Sequence, residues 1–388
     1  LGYGRIAMRK IAVVTGSRAE YGYLKPLMNE IENDVELQLI PLITGTHLLP
    51  KFGNTYQIVE NDFPSAKKIP MPLTGDSLKA MALYLAVGIS NFAEFLDNSR
   101  PDILIVLGDR SESLAAALAA FYLNIPIAHI NGGDVTGTTI DESIRHAITK
   151  IAHIHFAHTK NNAERIAKMG EEKKRIFITG SLSLDTILRA SLPSKEEIFR
   201  KCHLAAEKLT FLVVFHPITT VADKGYSQLE QVLCALDTLK EQTVLFYPNV
   251  DAGGDRLRDL IKGYEGTSYL HTFINLPHEE YLGLLKSVNV MIGNSSSGIL
   301  EAPLFHVPVV NIGSRQQGRE RSMNVIDVQP TKEKILAAIT YALYDSDFRK
   351  NIQKCENKFG DGHASERIVD ILKKIEINES LIQKQITY

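Results

Sequence analysis

The chain is 388 residues long, too long for one ordinary hydrophobic core, so two α/β domains are the natural expectation. With 44% hydrophobic and 23% charged residues it has the composition of a soluble globular protein, and a formal net charge of −2 leaves no footprint for nucleic acid or a membrane surface. Three scattered cysteines, Cys202, Cys234 and Cys355, are odd in number and lack metal-ligand spacing, which fits a reducing cytoplasm. No apolar run reaches bilayer length, and LGYGRIAM lacks the apolar core of a signal peptide. Strand-like KIAVVTG directly after Met8-Arg9 makes Met8 the expected start.

Short β-branched runs alternate with helical patterns from end to end. The expected strands are 11–15, 37–44, 103–107, 125–130, 153–157 and 176–179, then 210–215, 243–247, 288–292 and 309–312. Near-continuous apolar strands between amphipathic helices indicate parallel sheets covered on both faces. Two such series imply two doubly wound, Rossmann-like domains with a cleft between them, and ligands bind at the carboxyl ends of such strands. The expected boundaries are 1–185 for the first domain, 186–365 for the second, and 366–388 for a helical tail. The tail's apolar spacing at Ile368, Ile371, Leu372 and Ile375 would let it pack back on the first domain.

The first strand runs into Gly16-Ser17-Arg18-Ala19-Glu20 and a helix. A helix N-terminus carries about half a positive charge and unpaired N–H groups, which suits an anion, and Arg18 is the candidate phosphate or base contact. The plainer reading is a β–α connection with a solvated Arg and a first-turn Glu. After strand 103–107, Gly108 permits a tight turn, and Asp109 and Arg110 follow. Asp109 reads as an N-cap-like acid or as a positioned carboxylate beside a diphosphate clamp, with Ser111 and Glu112 as caps of the alanine-rich helix.

The stretch 128–159 packs His129, Asp134, Asp141, Glu142, Arg145, His146, His153 and His155 around a Gly-Gly turn. Acids and imidazoles move protons near neutral pH. Thr139 and Glu142 match a capping box, yet Glu142 and His146 are four apart and share a helix face with Arg145 adjacent. Ile144, Ile148 and Ile151 take the buried side. His153 and His155 alternate along a strand, where histidines are more often structural than catalytic. No metal is expected, since zinc sites offer a tighter ligand set.

In the second half, Asn294, Ser295, Ser296 and Ser297 precede Gly298 at a strand-to-helix turn, where their hydroxyls and amides can wrap a phosphate. Glu301, about one turn into that helix, is near enough to accept from ribose hydroxyls. Arg315 stands at the next strand end, and His216 and Asn249 each sit beside a strand-ending proline.

In order along the chain, GSRAEYG, LITGTHL, LGDR, GGDVTGTTIDESIRHAITK, FHPITT, YPNVDAG, GNSSSGILE and NIGSRQQGRE resemble the hydrolysing UDP-N-acetylglucosamine 2-epimerases of sialic- and legionaminic-acid-type sugar synthesis. The resemblance runs from about Lys10 to about Arg367, and SIRHAITK is its most distinctive segment. It implies a GT-B architecture with the UDP-sugar in the interdomain cleft, no metal or nicotinamide cofactor, and a homodimer or dimer of dimers. By position it implies that Arg18, Arg110, His216, Asn249, Asn294, Ser295, Ser296, Glu301 and Arg315 hold UDP. His47, Asp109, Asp134, Asp141, Glu142, Arg145 and His146 would surround the sugar.

The implied reaction converts UDP-N-acetylglucosamine to N-acetylmannosamine and UDP through a 2-acetamidoglycal. Asp109 or Asp134 is expected as base, with Glu142 or His146 on the other face. Asn131 stands where some relatives carry an acid, Tyr23 where they often carry Lys, and Thr138-Thr139 lengthens the loop. Three alternatives stay open at this point: the same reaction on UDP-2,4-diacetamido-2,4,6-trideoxyglucose, a non-hydrolysing epimerase, and a UDP-sugar-binding module without catalysis.

Overall fold

The computed structural model describes residues 8–73, 75, 77–135, 140–189, 191–216, 222–248 and 254–387. The chain separates into two compact units. The described residues of Leu1–Asp134, Asp141–Leu188 and Phe359–Tyr388 make the first, and those of Val135–Ile140 and Arg189–Lys358 the second.

In the first unit the strands are β1 (Arg9–Thr15), β2 (Leu37–Ile43), β3 (Lys67–Lys68), β4 (Ile103–Leu107), β5 (Ile127–Ile130), β6 (Ile154–Ala157) and β7 (Ile176–Ile178). They form one parallel sheet in the order β3-β2-β1-β4-β5-β6-β7. Successive side chains of a strand point to opposite faces. Ile11 and Val13 therefore join Leu24, Leu27 and Ile368 in one core layer, while Ala12 and Val14 join Phe92, Leu96 and Ile148 in the other.

The second unit repeats the plan with β8 (Thr210–Val214), β9 (Gln242–Phe246), β10 (Leu270–Phe273), β11 (Val290–Gly293), β12 (Val309–Ile312) and β13 (Val325–Val328). All pair in parallel, in the order β10-β9-β8-β11-β12-β13. Phe211 and Val213 face one layer and Leu212 and Val214 the other. In each sheet the strand order reverses once, between β1 and β4 and between β8 and β11, and such a switch point is where doubly wound sheets take ligands.

Three strands escape the sequence pattern: β3, β10 and β13. All lie at or near sheet edges, where one-sided exposure removes the continuous apolar run that marks a central strand. Pro126 has no N–H to give a ladder, and β5 starts after it, at Ile127. His153 precedes β6 instead of alternating with His155 along it. Among the described residues one helix, Lys79–Ser99, is long and apolar enough by length and composition to cross a membrane. Asn91, Glu94 and Asp97 interrupt it, so no unbroken apolar run shows, and its Tyr84, Phe92 and Leu96 are buried in the first unit's core.

After the second unit the chain returns to the first at Phe359. Asp185 accepts from the backbone N–H groups of Ala364 and Ser365 at 2.9 and 2.5 Å, capping the helix Ala364–Lys374 where a negative charge suits its N-terminus. Ile368, Val369 and Leu372 then complete the core layer of β1.

Candidate functional site

The β1 turn is built from hydrogen bonds that its sequence spacing makes possible. Ser17 caps the helix Arg18–Asn33, its side chain accepting from the Glu20 N–H at 3.3 Å, which sets Arg18 in the first turn, partly exposed. Glu20 is more than the first-turn acid of the plainer reading. It is buried and accepts from the Gly16 N–H at 2.6 Å, and burial pushes its carboxyl up to about 8. His47 is fully buried, with Nε2 3.0 Å from the Thr15 hydroxyl and Nδ1 2.8 Å from that of Thr55. Burial lowers it to about 4, so it stands neutral behind the turn.

At the end of β4, Gly108 adopts φ 70° and the chain turns through Asp109 into the helix Ser111–Tyr122. The expected caps are absent: Arg110 occupies the N-cap position with no side-chain cap, and Glu112 is buried instead. Glu112 accepts from the Tyr84 hydroxyl at 2.7 Å and lies 3.8 Å from Nε of Arg110, whose side chain is exposed. His129 ties this turn to the next element, with Nε2 donating to the Gly108 carbonyl at 2.7 Å and Nδ1 3.2 Å from the Thr149 hydroxyl.

The helix Ile140–Ile151 follows the Gly-Gly turn, and its apolar residues seat it on the sheet: Ile148 is fully buried, with Ile144 and Ile151 packed beside it. That leaves Arg145 inside. Its fully buried guanidinium pairs with Asp109, meets the Glu142 carboxylate at 3.1 Å, and donates to the Asp134 carbonyl at 3.3 Å. Glu142 in turn holds His146, Oε1 to Nε2, at 3.0 Å. The structure therefore brings Asp109, Asp134, Glu142, Arg145 and His146 together around one cation, with Asp134 buried and Asp141 partly buried nearby in the chain. The capping partner read for Glu142, Thr139, lies outside the described residues, as does Thr138.

His153 and His155 serve the fold. Nδ1 of His153 accepts from the Ile127 N–H at 3.1 Å, and Nε2 of His155 lies 3.2 Å from Glu171. Among the described residues no group of three or more His, Cys, Asp or Glu is arranged to hold a metal ion.

In the second unit the polar groups collect at the ends of β8, β11 and β12. Asn294 is fully buried and latches His216 in both directions: its Oδ1 accepts from the His216 N–H at 2.7 Å and its Nδ2 donates to the His216 carbonyl at 2.9 Å. The Asn294 carbonyl accepts from Arg315 at 3.0 Å and from Gln316 at 2.9 Å. Gly293 makes the turn possible at φ 138°, where an added Cβ would stand 2.1 Å from the Val214 carbonyl oxygen.

Ser295 accepts from the Ser297 N–H at 3.3 Å, and Ser296 precedes the short helix Ser297–Leu300. Glu301 is buried and accepts from the Ser297 hydroxyl at 2.5 Å, which accepts from Tyr281 at 2.7 Å. Asn249 lies outside the described residues. Sequence reasoning missed the parts played by Tyr84, Tyr281 and Gln316, which no motif marks. It also did not foresee the burial of Glu20, read as a first-turn acid, or of Glu112, read as a helix cap.

Two doubly wound units, each with polar strand-end turns beside its switch point, define the GT-B class of α/β protein. The crystal structure of a UDP-GlcNAc 2-epimerase from Neisseria meningitidis bound to UDP-GlcNAc superposes with a TM-score of 0.80 at 19% identity, over 94% of this chain and 100% of that one. The family model described as UDP-N-acetylglucosamine 2-epimerase matches residues 29–373, and the chain belongs to that family. It is 36% identical to the UDP-N,N'-diacetylbacillosamine 2-epimerase (hydrolyzing) of Legionella pneumophila, over 97% of this chain and 99% of the relative. It is 37% identical to the GDP/UDP-N,N'-diacetylbacillosamine 2-epimerase (hydrolyzing) of Campylobacter jejuni, over 83% and 85%.

Proposed function

We propose that the chain is a hydrolysing UDP-sugar 2-epimerase that releases UDP and the free 2-epimer of a 2-acetamido sugar. The observation that carries the reading is the cluster of Asp109, Glu142 and His146 around buried Arg145, in a chain of this family. In the first step a base takes the C2 proton as the C1–O bond breaks, the electron pair forms C1=C2, and UDP departs. In the second, water adds hydroxyl to C1 and a proton to C2 on the opposite face.

Asp109 is our choice of base, because about a fifth of its side-chain surface is open whereas Asp134 is buried. Glu142 and His146 handle protons on the other face. Arg18, Arg110 and Arg315 balance the diphosphate charge, with Ser295 and Ser296 as donors and Glu301 as ribose acceptor. His216, Asn249 and Asn294 complete the nucleotide side, and His47 supports the β1 turn through Thr15. A well-placed donor to developing charge is worth roughly 3 kcal/mol of barrier.

The sugar we favour is the 2,4-diacetamido-2,4,6-trideoxy form, supported by the two hydrolysing relatives at 36% and 37% identity. UDP-N-acetylglucosamine, the sugar in the family's description, is the second reading. The test incubates the whole chain with each UDP-sugar in D2O and follows products by NMR and mass spectrometry. UDP plus a free sugar carrying deuterium at C2 is expected, with the trideoxy substrate turned over faster. Accumulation of an intact UDP-2-epimer, or no turnover of either, would overturn the reading. Asp109→Asn should abolish solvent exchange at C2, and near-normal exchange would move the base to Asp134.

A further inference from the structure

Two buried acids lie beneath the β1 turn, and the proposed reaction uses neither. Glu20 reaches Gly16 through its N–H, and Glu112 reaches the same glycine from the helix Ser111–Tyr122. An added Cβ at Gly16 would stand 3.0 Å from Glu112 Cγ, and one at Gly45 would stand 2.6 Å from Glu112 Oε1. Two glycines thus leave the space that the Glu112 carboxyl group fills. The residues facing Glu20 from neighbouring elements are Glu112, Arg110, Tyr84 and, across Thr15, neutral His47. Oε1 of Glu20 is buried with no hydrogen-bond partner among the described residues. A second bare negative charge there would be costly, whereas a protonated carboxyl is tolerated.

We propose that Glu20 is a positioning residue that works as a neutral carboxylic acid: its proton keeps the β1 turn and Arg110 receptive to a diphosphate, and its loss in alkaline solution weakens diphosphate binding. The proposal rests on the assignment of Arg18 and Arg110 to the UDP side. With Glu20 protonated, the turn presents Arg18 and Arg110 without a charge from Glu20 beneath them. With Glu20 ionised, a second buried carboxylate draws on Arg110 and repels an incoming phosphate. Burial holds the Glu20 carboxyl at about 8, so the change falls in mildly alkaline solution. His47, at about 4, and Tyr84, raised above its ordinary range, do not titrate there, and arginines stay charged.

The test follows UDP binding by calorimetry, and KM and kcat for the UDP-sugar, as pH rises from about 7 to about 9.5, in the full chain and in Glu20→Gln. Above the Glu20 midpoint a single ionisation weakens binding by up to about tenfold per pH unit. In the full chain Kd and KM are expected to rise on that limb while kcat moves little, and Glu20→Gln is expected to remove the limb. A limb that persists in Glu20→Gln, or a flat profile in the full chain, would overturn the proposal. A second readout needs neither variant nor turnover: in 13C-Glu-labelled full chain, one carboxyl signal should titrate near pH 8. By reciprocity its midpoint should rise when UDP saturates the protein. No such signal, or a midpoint that ignores bound UDP, would equally sink the idea. Failure to bind UDP at all would instead refute the UDP-sugar assignment, while the titrating signal still reports on Glu20.

Discussion

Arg145 holds three partners from three places in the chain: Asp109 after β4, Glu142 one turn back on its own helix, and the main chain of Asp134 at the Gly-Gly turn. A planar guanidinium reaches all three from one rigid fork, a geometry that the compact ammonium of lysine does not reproduce. Arg145→Lys should therefore keep most of the fold but lose at least about a hundredfold in kcat through misplaced carboxylates. Arg145→Ala leaves two acids around an empty space and should cost roughly 3–5 kcal/mol in urea unfolding. Equal stability losses with full activity in the lysine variant would show that the cluster is structural. At this scale the site was partly legible. Glu142 and His146 share a face because of their four-residue spacing, but no local spacing says that Arg145 points inward. That follows from the sheet against which Ile148 packs.

At the scale of elements, the strand-to-helix turns carry the polar groups because the strand interiors are needed for two apolar layers. The β11 turn is the clearest case. Gly293 runs against the Val214 carbonyl, and Asn294 stitches β8 to β11 while accepting from the residues after β12. Gly293→Ala meets main chain rather than a movable side chain, at a φ of 138°. It should destabilise by roughly 3 kcal/mol and displace His216 and Arg315 together. Thermal unfolding and UDP calorimetry should both register it, and a loss of stability with intact UDP affinity would separate the latch from the ligand. GNSSSG was legible as a polar helix start. That Asn294 works through its carbonyl as well as its amide became visible only once β8 and β12 flanked β11.

At the scale of the whole molecule, the carboxyl-terminal segment is held to the first unit by polar contacts as much as by its helix. Glu171 is the anchor, receiving Lys150 and Lys384 at 2.6 Å each and His155 at 3.2 Å. Arg175 donates to the carbonyls of Leu381 and Ser380, and Lys384 to that of Ala152. Hydrogen bonds from these partners outweigh burial and hold Glu171 at about 2, below its usual 4.5. A carboxyl depressed in the folded state stabilises fully above its unfolded value, and that share is lost as pH falls from about 4.5 through about 2. Lys384→Met should therefore lower stability near neutrality and also flatten its fall with acid. An acid-unfolding series by circular dichroism checks both, and an unchanged acid slope would remove Lys384 from the account.

The sequence by itself determined the class of fold and the order of its motifs, because buried parallel strands need apolar runs and amphipathic helices keep their period whatever surrounds them. It also marked the polar turns, since Gly, Asn, Ser and Asp after such runs have few other uses. The tertiary structure alone decided which polar side chains are buried and what they touch. Glu20 and Glu112 look like ordinary first-turn acids until Gly16 and Gly45 bring them under one turn, and His129 becomes a tie only when β4 and β5 lie side by side. The edge strands β3, β10 and β13 belong to the same lesson: their pairing partners, rather than their own composition, make them strands. Side-chain periodicity is a property of neighbours in the chain, while burial and charge pairing belong to neighbours in space.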